Sequence, residues 1–124
     1  MRSEYSGLFS ALQKLNVDVN GTVERFVGND DIYVQFLNEF SETDRFPDIY
    51  KALYSRDTDK LIMHVHKLKG VAGNLGMKDI YNDAEAVIKQ LRDGSYERTD
   101  EKLRAIEAKV SEISLAIKEN KPNI

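Results

Sequence analysis

His66 and Lys69 stand three residues apart in a stretch with the residue pattern of a helix. An imidazole is mostly neutral near pH 7, and its free ring nitrogen is then a nucleophile. Residues three apart lie one turn apart on the same side of a helix, so the Lys69 ammonium can neutralise an anion carried by His66. A phosphoryl group is the anion that this pair suits best. The spacing therefore predicts a histidine that accepts a phosphoryl group.

The helix around His66 has a second face that an ordinary core does not explain. With about 100° of rotation per residue, apolar residues from Leu61 to Leu75 form a core stripe opposite His66. Glycines on the side of His66 each cost about 1 kcal/mol of helix stability relative to alanine, which indicates that a large partner approaches the backbone there. We predict a partner-docking surface made of Ile62, Met63, Gly70, Gly73 and Asn74.

A second histidine, His64, lies about 160° around the helix from His66. The two rings cannot bind one metal ion, because metal-binding pairs on a helix are three or four residues apart. We interpret His64 as a structural residue at the edge of the core. The chain has no cysteine, and we predict no metal site.

Apolar residues that recur at spacings of three and four predict four long helices, at about 30–54, 58–75, 77–93 and 98–120. The short connectors require neighbouring helices to run antiparallel. We therefore predict an all-α fold, an up-and-down antiparallel four-helix bundle with one or two short N-terminal helices packed on it. Pro47, after Phe46, either begins a new helix or kinks a long one.

Composition limits both the architecture and the partners. The 124 residues suit a single domain, with a bundle core at about 30–120 and an N-terminal helical cap at 3–28. A net charge of −3 argues against binding nucleic acid. The apolar runs are too short to span a membrane, and the N-terminus lacks the apolar segment of a signal peptide. Together with the absence of cysteine, these features lead us to expect a cytoplasmic protein.

The segment Val65-His66-Lys67-Leu68-Lys69-Gly70, followed by Gly73-Asn74-Leu75-Gly76, resembles the signature of histidine-containing phosphotransfer (HPt) domains. The resemblance extends upstream through residues 17–40 and downstream through residues 77–91, so it covers most of the chain. It implies that His66 is phosphorylated, that Lys69 assists the phosphoryl group and that Gly70 admits the partner. Gly73 would match the small residue one turn later. The resemblance also implies a four-helix bundle and receiver-domain partners.

Such a domain would be a phosphorelay intermediate in two-component signal transduction. His66 would accept a phosphoryl group from the aspartate of one receiver domain and pass it to another receiver domain. We expect no cofactor bound by this chain and Mg²⁺ in the receiver partner. The expected partners are response-regulator receiver domains and a hybrid sensor histidine kinase, and the chain itself would be a monomer.

No segment resembles an ATP-binding kinase domain, so we do not expect a free-standing enzyme. The alternative from another functional class is a helical adaptor that binds receiver domains without phosphotransfer. The presence of both His66 and Lys69 argues against the adaptor.

Overall fold

The fold is all-helical in the computed structural model, which describes residues 3–121, and no β-strand occurs in that range. This confirms the all-α prediction. After a 3-10 turn at Ser3–Tyr5, the α-helices in chain order are α1 (Ser6–Lys14), α2 (Val19–Arg25), α3 (Asp30–Glu42), α4 (Phe46–Tyr54), α5 (Thr58–Asn74), α6 (Lys78–Arg92) and α7 (Thr99–Glu119).

The helices pack as a bundle with the short N-terminal helices on it. α5 packs against both α4 and α6, while α7 packs against α6 and α3. Helices that are joined by short turns and packed on each other run antiparallel, which is the up-and-down arrangement. α1 packs against α7, and α2 packs against α1 and α3. The predicted bundle is thus confirmed.

The predicted helix at 30–54 is in fact two helices, with a break at residues 43–45. Thr43 has an extended backbone, with ψ at 120°, and its hydroxyl donates to the Glu39 carbonyl oxygen at 2.7 Å. Pro47 sits in the first turn of α4, where its missing N–H leaves no hydrogen bond unmade. The alternatives at Pro47 are therefore decided in favour of a new helix, and the prediction of one helix over 30–54 is wrong.

α5 is fixed in the bundle by its apolar stripe. The side chains of Leu61, Val65, Leu68 and Ala72 are fully buried. Burying a leucine or valine side chain stabilises a fold by about 1.5–3 kcal/mol, so rotating α5 about its axis would be costly. The orientation of the opposite face, which carries His66, follows from this burial.

Candidate functional site

α5 begins at a well-formed cap. The Asp57 carboxylate accepts a hydrogen bond from the Lys60 backbone N–H at 3.2 Å, which satisfies one of the free donors of the first turn. From this start, two and a half turns of helix lead to His66. The His66 side chain is exposed, on the side of α5 away from the buried stripe. His64 is half-buried, at the margin of the core.

The residues predicted to surround His66 lie on the same side of α5 but differ in exposure. Met63 is 43% exposed, Asn74 is exposed, and Ile62 is half-buried against the core. Gly70, one turn beyond His66, is exposed, and no atom of the described residues would come within 4 Å of a Cβ placed on it. The backbone of α5 is therefore open to an approaching molecule at Gly70.

The space beside Gly73 is already filled by the chain itself. A Cβ on Gly73 would lie only 3.0 Å from Cδ2 and 3.2 Å from Cε2 of Tyr81 in α6. The missing side chain at Gly73 thus lets an aromatic ring of the neighbouring helix lie across α5. Whether Gly73 also contacts a partner stays a prediction.

Lys69 is held by two residues of α6. Its Nζ is 3.3 Å from Oε2 of Glu85 and 5.2 Å from the centroid of the Tyr81 ring. The Lys69 side chain is 19% exposed, so most of it is covered. The sequence does not predict that Tyr81 and Glu85 contact Lys69. Their spacing of four residues puts them on one face of α6, but nothing in the sequence says which residue of α5 they face.

The C-terminal end of α5 is anchored by the N-terminal part of the chain. Nη2 of Arg25 donates to the carbonyl oxygens of Gly73 at 3.2 Å and Asn74 at 3.3 Å. The Tyr33 hydroxyl donates to the Leu75 carbonyl oxygen at 3.2 Å, and burial raises the pKa of Tyr33. The last carbonyls of a helix lack partners inside the helix, so these donors stabilise its end.

Gly76 makes the turn that returns the chain as α6. Its φ of +77° lies in the left-handed region, and a Cβ there would collide with the side chain of Thr22 and lie 2.7 Å from the Asp18 carbonyl oxygen. The Asp18 N–H in turn donates to the Gly76 carbonyl oxygen at 2.9 Å. Only glycine fits this position without strain, and the resulting turn brings Tyr81 and Glu85 alongside Lys69.

A groove of about 680 Å³ lies beside the end of α5 and adjoins the docking surface at Asn74. Phe26 and Phe36 line it with their rings 5.8 Å apart, and Phe36 is 44% exposed. Arg25 and Arg45 also line the groove. The sequence does not predict this groove, because its lining residues, spread from position 25 to position 75, come together only in the folded chain.

Within residues 3–121 there is no group of three or more His, Cys, Asp or Glu side chains that could hold a metal ion. In the same part of the chain, no helix combines the length and the apolar character needed to cross a membrane.

Comparison with known proteins identifies the family. The family model described as "Hpt domain" matches residues 31–116, which is more than half of the chain. The chain therefore belongs to the Hpt-domain family, whose members are histidine phosphotransfer modules of phosphorelays and interact with receiver and kinase domains. Neither a search of curated proteins nor a search of solved structures found a match. The matched segment covers α4, α5 and α6 and most of α3 and α7, but neither α1 nor α2.

Proposed function

We propose that this protein is a phosphorelay intermediate that carries a phosphoryl group on His66 between two receiver domains. One observation carries the proposal. His66 is exposed on α5, whose buried apolar stripe sets its orientation in the bundle, with Lys69 three residues further on and an open backbone at Gly70. The nucleophile, the supporting cation and the space for a partner thus occupy one face of α5.

The reaction divides between the two proteins. The unprotonated ring nitrogen of His66 attacks the phosphorus of the phospho-aspartate, the phosphorus–oxygen bond to the aspartate breaks, and the carboxylate leaves. In the second half, an aspartate oxygen of another receiver attacks the phosphohistidine and the phosphorus–nitrogen bond breaks. Lys69 balances the negative charge of the phosphoryl oxygens. The receiver would supply Mg²⁺ and the acidic residues around it.

Docking supplies the rest of the catalysis. Positioning the two reacting groups converts a bimolecular reaction into one within a complex, which lowers the barrier. The exposed Met63 and the open backbone at Gly70 suit close contact with a receiver. Ile62, Gly73 and Asn74 complete the proposed docking surface on α5.

The test is phosphorylation of the purified chain by a panel of phosphorylated receiver domains from the same organism. We expect an acid-labile label on the unchanged chain and on His64→Gln, and no label on His66→Gln. The His64 variant is the matched control, since it changes the other histidine of the same helix. Acid-labile label that persists on His66→Gln would contradict the assignment. Receiver domains that bind the chain without transferring a phosphoryl group would favour the alternative function, a helical adaptor.

A further inference from the structure

The ammonium of Lys69 contacts two side chains of α6 that differ in kind. The Glu85 carboxylate oxygen is 3.3 Å away, and the Tyr81 ring centroid is 5.2 Å away. A carboxylate attracts the ammonium as a charge, while the face of an aromatic ring attracts it through its quadrupole. Tyr81 and Glu85 are one turn apart on α6, so they hold Lys69 from one helix face.

Gly73 makes this arrangement feasible. A Cβ on Gly73 would lie 3.0 Å from the Tyr81 ring, so the ring would have to shift by a few tenths of an ångström to admit it. The glycine therefore lets the ring lie where its face meets the Lys69 ammonium. Gly73, Tyr81 and Lys69 therefore form a chain of contacts across the interface between α5 and α6.

Held in this way, Lys69 can act without first being ordered. A lysine side chain has several rotatable bonds, and fixing them when a ligand binds costs conformational entropy. If folding has already fixed the side chain, ligand binding does not incur this cost. An ammonium has three N–H donors, so the contact with Glu85 leaves donors for phosphoryl oxygens. The Lys69 side chain is 19% exposed, so part of its surface remains accessible.

We propose that Tyr81 and Glu85 are positioning residues for phosphotransfer, which hold the Lys69 ammonium on the side of α5 that carries His66. The proposal rests on the proposed function, since Lys69 has a phosphoryl group to stabilise only if His66 is phosphorylated. Neither residue touches the reacting atoms. Both act through Lys69.

The test is a double-mutant cycle on the rate of transfer from a saturating phosphorylated receiver to His66 in a single turnover. Glu85→Ala removes an ion pair that is partly exposed, so we expect the rate to fall by about two- to five-fold. Glu85→Gln keeps an acceptor oxygen and should recover part of the rate. Tyr81→Leu should also slow transfer by about two- to five-fold. In a Lys69→Ala background, Glu85→Ala and Tyr81→Leu should have no further effect.

Glu101→Ala provides the matched control. It removes a glutamate from an exposed ion pair with Arg98, at 3.8 Å, on another helix, so the charge of the chain changes equally. We expect its transfer rate to equal that of the unchanged chain. A Glu85→Ala effect that is absent, or that persists at full size without Lys69, would overturn the positioning role.

A second readout does not depend on phosphotransfer. In the NMR spectrum of the unphosphorylated chain, the ring current of Tyr81 should shift the side-chain methylene protons of Lys69 upfield. Tyr81→Leu should abolish that shift, and His66→Gln should leave it unchanged. Lys69 protons that do not respond to Tyr81→Leu would overturn the proposal. If no phosphorylated receiver domain labelled the wild-type chain, the proposed function would be overturned instead.

Discussion

Arg25 in α2 donates a hydrogen bond at 3.2 Å to the backbone carbonyl oxygen of Gly73, which lies 48 residues further along the chain. The same nitrogen also reaches the Asn74 carbonyl oxygen at 3.3 Å. A side chain of the N-terminal region thus closes the end of the helix that carries His66. The relationship links the stability of α5 to residues that lie outside the segment of the family match.

Removing the Arg25 guanidinium should therefore loosen the end of α5. We expect Arg25→Met to lower the free energy of unfolding by about 1 kcal/mol, since a charge-assisted hydrogen bond contributes about 1.5–3 kcal/mol when buried and less at an exposed site. Amide hydrogen exchange should accelerate at residues 73–76, while the amides near His66 keep their protection. Glu24→Met serves as control, because Glu24 is an exposed neighbour on α2. Equal exchange at residues 73–76 in Arg25→Met and the unchanged chain would contradict the anchoring role.

Gly76 should tolerate no side chain. We expect Gly76→Ala to lower the free energy of unfolding by more than about 2 kcal/mol, because a left-handed backbone costs a residue with a Cβ about 1–2 kcal/mol and the collision with the Asp18 carbonyl adds to it. Gly94→Ala is the matched control: its φ is +83°, but no described atom would lie within 4 Å of the new Cβ. Urea unfolding should show the larger loss for Gly76→Ala. Equal losses would mean that the collision is relieved by a small shift.

Val27 is a strained residue whose replacement should stabilise the fold. It has a φ of +57°, a conformation that a β-branched side chain rarely adopts, and its side chain is 92% exposed. Val27→Gly removes the strain and loses almost no burial, so we expect the free energy of unfolding to rise by about 0.5–1 kcal/mol. Val23→Gly, at a half-buried helical position, should instead destabilise the chain. A lower free energy of unfolding for Val27→Gly would mean that the Val27 side chain stabilises the fold by more than its backbone strain costs.

A bulky residue at Gly70 should separate folding from transfer. Because the space around Gly70 is open, we expect Gly70→Gln to preserve or increase helicity. Glutamine is a better helix former than glycine, by less than the about 1 kcal/mol that separates glycine from alanine. The same side chain would stand where we propose that the receiver approaches, so transfer should fall by at least about ten-fold, equivalent to about 1.4 kcal/mol. Circular dichroism and the single-turnover rate measure the two effects. Gly70→Ala, a smaller change, should slow transfer less, and full activity of Gly70→Gln would refute the docking surface.

The sequence was enough to predict which side of α5 is buried and which is exposed. The stripe from Leu61 to Leu75 repeats at helical spacing, and burial of such a stripe places His66 on the opposite face. The break between α3 and α4 was not predictable in the same way, because apolar residues at helical spacing occur on both sides of residues 43–45. The break shows only in the backbone, where residues 43–45 are not helical and Thr43 is extended.

The partners of Lys69 show a different limit. Periodicity says which face of a helix is polar, but it does not give the register of one helix against the next. The turn at Gly76 sets how α6 returns along α5, and that turn depends on contacts with Asp18 and Thr22 far upstream. For the same reason, the glycine pattern revealed a missing side chain at position 73 without showing that the Tyr81 ring fills the space.

The hydrogen bonds from Arg25, Tyr33 and Asp18 to the end of α5 matter for anyone choosing where to trim this chain. A fragment that begins at residue 31, where the family match begins, would retain α4 to α7 and nearly all of α3. It would nevertheless lose Asp18 and Arg25, and with them the hydrogen bonds to the carbonyl oxygens of Gly73, Asn74 and Gly76. A fragment for measuring phosphotransfer should therefore be longer than the family match and begin before Asp18.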